Sequence, residues 1–138
     1  MSDYEKYLFR GKRKDNGEWI YGYYCVFNGM IHCIYTGYAE TDCGDIYPDY
    51  YEVDPDTVGQ YTGLPDKNST KIFEGDIVKS NRFNKIEEVR YTNKRKRIMF
   101  CGINYVTDLE YINENDYEVI GNIHDNPELL NAAANGRR

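Results

Sequence analysis

At 138 residues the chain has the length of a single domain, with enough interior for a core that needs no disulfide or metal staples. Its net charge of −6 argues against a bulk nucleic-acid binder, which would carry a basic field, and no apolar run approaches the roughly 18 residues of a bilayer span. Fifteen tyrosines beside a single tryptophan favour a β protein with half-wet sheet faces, because Tyr suits a pleated surface and keeps a polar tip for solvent.

The first segment, MSDYEKYLFRGKRK, lacks the apolar stretch of a secretory signal, so a cytoplasmic location is expected. Residues 8–35 read as a three-stranded antiparallel meander. Leu8 to Lys12 is its first strand, Glu18 to Phe27 its second and Met30 to Tyr35 its third. Asn16-Gly17 and Asn28-Gly29 fall between these runs, and Asn-Gly is the strongest short hairpin signal because both residues tolerate positive φ. Gly22, in the middle of the second strand, suggests a bulge or a sharp bend.

Residues 36–50 are rich in Gly and Asp with scattered Tyr, end near Pro48, and read as an exposed acidic loop. Between residues 40 and 56 the chain holds seven acids and no Lys or Arg, and Asp42, Asp45, Asp49 and Glu52 are the candidates for contact with a basic partner. The EF-hand pattern is absent, so calcium has no motif support and no metal site is assigned.

Residues 51–123 read as a β-barrel-like core. Within it, Val58 to Val78 forms strand, turn and strand around Asp66-Lys67-Asn68-Ser69. Glu74-Gly75-Asp76 then bends the chain, with Gly at the bend and the Asp carboxylate accepting nearby backbone N–H groups. Ile86 to Tyr91 and Arg97 to Val106 make a strand pair with a charged tip over Thr92 to Lys96. Thr107 to Asp116 permits one helical turn, and Tyr117 to Ile123 is a last strand with Gly121 as a bulge. Residues 126–134 form a short C-terminal helix, with Asn126 as N-cap, Pro127 at the first helical position, Leu129 and Leu130 to dock it, and Gly136 near its end.

Four cysteines, Cys25, Cys33, Cys43 and Cys101, form no C-x-x-C pair and read as structural thiols rather than zinc ligands or disulfides. His32 and Cys33, adjacent on a strand, point to opposite faces and cannot act as a catalytic pair. His124 reads as a surface or capping residue. No G-x-S-x-G, H-E-x-x-H or Walker loop occurs, so no catalytic residue and no cofactor is assigned.

Three segments, FRGKRKDNGEWIYGYY, VDPDTVGQYTGLPDKNSTKIFEGDIV and YEVIGNIHDNPELL, together resemble the YopX family of phage and prophage proteins from about Phe9 to Leu130. The resemblance implies a single domain over residues 1–138, mainly β (or α+β with little helix), built of antiparallel coiled sheets or a small SH3-like barrel. It also implies a phage or prophage origin, hence the cytoplasm of a bacterial host, and no known activity or catalytic residues. This chain departs from the family pattern at Ser69, where a Gly commonly follows Asp-Lys-Asn.

Two functions compete. One is a protein-interaction module acting on a host or phage protein, its Tyr-rich surface giving large contact area at low rotamer cost. The other is nucleic-acid binding by Arg10, Lys12, Arg13 and Lys14 at the first hairpin and Lys94, Arg95, Lys96 and Arg97 at a later one, with Tyr as stacking platforms. The acidic total ranks interaction first. An enzyme is a distant third, and a homo-oligomer stays open.

Overall fold

The structure, a computed structural model, describes residues 4–135, with the backbone alone for 132–135. Eleven strands carry most of it, with one α-helix and short 3-10 turns between. The described residues up to Tyr61 form one compact unit and those from Thr62 a second.

The first unit holds β1 (Leu8–Lys12), β2 (Trp19–Phe27), β3 (Ile31–Glu40), β4 (Ile46–Glu52) and the start of β5 (Gly59–Pro65). They lie in the order β4-β3-β2-β1-β5, all antiparallel. The expected meander is present and both Asn-Gly turns form, by different geometries. At Asn28-Gly29 both φ values are positive, +52° and +68°, and Met30 N–H donates to Phe27 O at 3.0 Å. At the first turn only Gly17 is left-handed, and the wider loop closes through Gly17 N–H to Arg13 O and Arg13 N–H to Glu18 O, each 2.9 Å. The unit buries Ile34 and Val53 completely.

Gly22 is neither bulged nor bent. It pairs in register with Phe9, and a Cβ on it would lie 2.1 Å from the Tyr35 carbonyl oxygen, so the position is glycine because another backbone runs against it. The expected acidic loop over residues 36–50 is instead a hairpin. β3 continues to Glu40 across a register shift between Tyr35 and Gly37, a turn spans Thr41 to Asp45, and β4 returns. Pro48, expected at the end of that loop, sits opposite Tyr38 on an edge strand, where its missing N–H costs no ladder bond.

The second unit begins with the rest of β5, beside which lies β6 (Lys71–Phe73). A second antiparallel sheet follows, made from β7 (Asp76–Ser80), β8 (Lys85–Thr92), β9 (Arg97–Cys101), β10 (Val106–Asp108) and β11 (Tyr117–Asn122), in the order β10-β9-β8-β7-β11. The strand expected over 97–106 is thus two, broken where Gly102 N–H donates to Tyr105 O. The ambiguous stretch before β11 holds two 3-10 turns, Leu109–Tyr111 and Glu114–Asp116. Ile72, Val78, Val89, Phe100 and Tyr117 form the core, flanked by Leu64, Ile98, Leu109, Ile112 and Val119.

The fold is therefore mainly β with a short C-terminal helix, but the barrel alternative fails. β10 and β11 are opposite edges of their sheet and no pairing among the described residues joins them, so the sheet stays open.

Two buried carboxylates hold the joints of the Val58 to Val78 segment. Asp66 Oδ1 accepts from the N–H groups of Asn68 (2.8 Å) and Thr70 (2.9 Å), while its Oδ2 accepts from Val119 N–H at 2.9 Å and ties the loop to β11. Asp76 Oδ2 accepts from Phe73 N–H at 2.7 Å across Gly75, whose φ is +95°. Gly121 marks the expected bulge, with the β11 register shifting between Val119 and Gly121. The helix, α1 (Glu128–Asn135), begins just after Pro127. Asn126 does not cap it by side chain: its Oδ1 accepts from Asn122 N–H at 3.2 Å and closes the turn after β11 instead. Gly136 lies outside the described residues.

Candidate functional site

The first sheet carries its aromatic residues in ranks set by strand register. Tyr23, Tyr35 and Tyr50 stand opposite one another on β2, β3 and β4, so their side chains share one face, and Phe27 opposite Ile31 continues it. Ring centroids lie 6.4 Å apart for Tyr23–Tyr35, 5.4 Å for Tyr35–Tyr50 and 5.3 Å for the edge-on pair Phe27–Tyr50. Tyr38 adds an edge-on contact to Tyr35 at 5.8 Å. Tyr23, Phe27, Ile31, Tyr38 and Tyr50 are all substantially exposed, as is Ile46 further along β4, while Tyr47 is exposed on the opposite face. The Tyr35 phenol is pushed up to about 12, chiefly by its hydrogen bond with Tyr38. These rings are cross-strand partners and also open surface, because nothing within their unit covers them.

Cys25 and Cys33 stand opposite each other on this same face, and Cys25 Sγ donates to Cys33 O at 3.8 Å. Burial raises both thiols, and all four cysteines are free, with Cys43 exposed on the β3–β4 turn. His32 faces the other way. Its Nδ1 shares a hydrogen bond with the Tyr24 hydroxyl and its ring stacks on that tyrosine, so it packs structurally.

Of the acidic candidates, Glu52 is in phase with Tyr50 and lies on the aromatic face, whereas Asp49 points with Tyr51 to the opposite face. Asp42 and Asp45 are exposed on the turn, where Asp45 N–H donates to Thr41 Oγ1 at 3.0 Å. Asp49 accepts from Thr36 Oγ1 and from the Tyr51 hydroxyl, both at 3.2 Å, and Glu52 pairs with Lys14 at 3.2 Å.

The basic candidates fall into separate units. In the first unit, Arg10 is buried with its guanidinium 4.7 Å from the Trp19 ring centroid, and Lys12 Nζ lies 5.5 Å from the same ring. Arg13 bonds Asp15 through Nε at 2.9 Å and stacks over Tyr51 at 4.3 Å. With Lys14 on Glu52, all four charges are engaged within the chain. In the second unit, Lys94 and Arg95 line an open groove of about 610 Å³ together with Arg90, Tyr91 and Tyr105. Lys96 sits in the turn with φ +56°, and Arg97 NH1 lies 3.3 Å from Asp108 Oδ1.

Sequence reading missed a second cavity of about 310 Å³, lined by Glu87, Tyr105, Tyr111, Asp116 and Tyr117 among others. Its one signal was Glu87 itself, which falls in step with Val89 on the inward side of β8.

These features define a class: a small antiparallel β protein of two open sheets, one of them carrying an exposed aromatic face. A family model described as YopX protein matches residues 8–131, so the chain belongs to the YopX family. A crystal structure of protein EF1440 from Enterococcus faecalis is similar in fold, with a TM-score of 0.61 and 30% identity over 88% of this chain and 96% of that one. A search of curated proteins returns no match. No described helix is long and apolar enough to cross a membrane.

Proposed function

We propose that the chain is a non-catalytic protein-interaction module that docks on a basic surface of a host or phage protein through the Tyr23–Tyr35–Tyr50 face. The observation that carries this reading is the exposed aromatic row itself. It presents large rigid rings, which give contact area at low entropic cost, on the same face as the Glu52 carboxylate and next to the β3–β4 turn that exposes Asp42 and Asp45. A basic partner follows from charge complementarity, since the turn of the same hairpin exposes Asp42 and Asp45 and the nearby cations are already engaged.

The test uses affinity capture from host lysate with wild type and with a Tyr38→Ala/Tyr50→Ala variant whose melting curve is unchanged. The expected result is a basic protein held by wild type, released as salt rises, and lost from the variant. Identical protein sets from both chains overturn the reading.

The groove lined by Arg90, Lys94 and Arg95 with Tyr91 supports a second reading, single-stranded nucleic acid stacked on tyrosine with its phosphates on the basic rim. Absence of single-stranded DNA binding at about 50 mM salt removes it, because phosphate contacts are strongest at low salt.

A further inference from the structure

The 310 Å³ cavity of the second unit presents an unusual combination. Glu87 is 2% exposed, and its Oε1 has no hydrogen-bond partner. A buried carboxylate oxygen without a donor is costly, so the site calls for a group that brings N–H or O–H hydrogens. Asp116 adds a second carboxylate to the wall, and Tyr105, Tyr111, Tyr117 and Phe83 supply aromatic surface. Tyr117 is held in its protonated form by burial first, and then by the charge and hydrogen bond of Glu87.

Two cations also line the cavity. The Arg82 guanidinium lies 5.2 Å from the Phe83 ring and Lys85 Nζ lies 5.0 Å from the Tyr105 ring. Both residues are exposed, and neither donates to Glu87 Oε1. They show that these rings accept positive charge on their faces, while Glu87 Oε1 is left without a donor. Among the described residues no group of three His, Cys, Asp or Glu side chains gathers to hold a metal.

We propose that this cavity binds a guanidinium group, with Glu87 Oε1 accepting its N–H donors and Tyr105 or Tyr111 stacking on its plane. A planar fork with donors at its edge and a weakly hydrated face matches a lone carboxylate oxygen set among rings, whereas a compact ammonium has no plane to stack and gives up more hydration. The cavity volume lies at the small end of ligand sites, of the order of 300 Å³, which suits a short side chain or small guanidine.

The test titrates the full chain by calorimetry with agmatine, putrescine and glutarate. Agmatine is expected to bind, putrescine to bind more weakly, and glutarate not to bind. Glu87→Gln is isosteric and should weaken agmatine by about tenfold to a hundredfold, the worth of a charge-assisted hydrogen bond. Tyr111 is 74% exposed, so Tyr111→Ala should leave the melting temperature unchanged while weakening agmatine by about twofold to fivefold. A short arginine-containing peptide distinguishes the source: tighter binding than agmatine assigns the guanidinium to a partner's side chain, and weaker binding assigns it to a free small molecule. A cavity that takes up no agmatine at millimolar concentration holds water only and overturns the proposal. Equal affinity of wild type and Glu87→Gln overturns it too, as does putrescine binding as tightly as agmatine.

Discussion

Ser69 stands at φ +67°, a left-handed backbone that side chains with a Cβ adopt at a cost. The turn is fixed from outside, by Ser69 N–H donating to Asp66 O at 3.0 Å and by Asp66 Oδ1 holding the N–H groups on either side of it. Ser69 is therefore strained by its neighbours' bonds and forms no turn of its own choosing. Ser69→Gly should raise stability by about 0.5–1 kcal/mol, the relief of left-handed strain less the extra entropy glycine gains on unfolding. Chemical denaturation of the two chains checks it, and an unchanged or lower midpoint would show that the Ser69 side chain contributes more than its strain costs. Asp66 is the opposite case. One carboxylate serves three backbone donors, which explains why an acid is buried there.

At the scale of elements, β11 and α1 meet at Gly121. A Cβ there would lie 2.6 Å from Asn126 Oδ1 and 2.9 Å from Leu129 Cδ1, so the strand, the turn-closing amide and the helix occupy one close contact. Gly121→Ala must push the helix or the Asn126 side chain away, at about 1–3 kcal/mol of stability. A thermal melt that does not move would show the helix free to slide. The bulge at this glycine was legible in the sequence, but the close contact was not, because no local pattern marks where two elements touch. The meander was legible for the converse reason: Asn28-Gly29 carries its own φ signature. Its register was harder to read. A two-residue loop would set Phe27 opposite Met30 and Cys25 opposite His32, whereas the three-residue connection sets Phe27 opposite Ile31 and brings Cys25 and Cys33 face to face. The hairpin over 36–50 escaped because Gly, Asp and Pro are loop residues on average, while an edge strand tolerates all three. The candidate site divided in the same way. Which residues are Tyr, acidic or basic is plain from sequence, but that Arg10 rests on Trp19 and Lys14 on Glu52 depends on pairing between distant strands.

For the molecule as a whole, the abundance of tyrosine links stability to alkaline pH. Tyr24 and Tyr117 are raised by burial first, and Tyr35 chiefly by its bond with Tyr38. In each the folded chain holds the phenolic proton more tightly than the unfolded chain, whose tyrosines titrate near pH 10. The folded state then binds more protons than the unfolded state above that pH, so stability falls as pH rises. The contribution is complete below about pH 10 and is lost as pH climbs through the folded values, about 12 for Tyr35 and beyond the ordinary phenol range for Tyr117. Melting temperatures taken at rising pH should stay level to about pH 10 and then drop, with absorbance at the phenolate band rising in step with unfolding. Tyr117→Phe removes the most strongly perturbed phenol. Its melting temperature at neutral pH should fall through loss of the bond to Glu87, yet its decline above pH 10 should be shallower than that of wild type. Parallel declines in the two chains would place the alkaline sensitivity elsewhere, in the exposed aromatic face rather than in the core of the second unit.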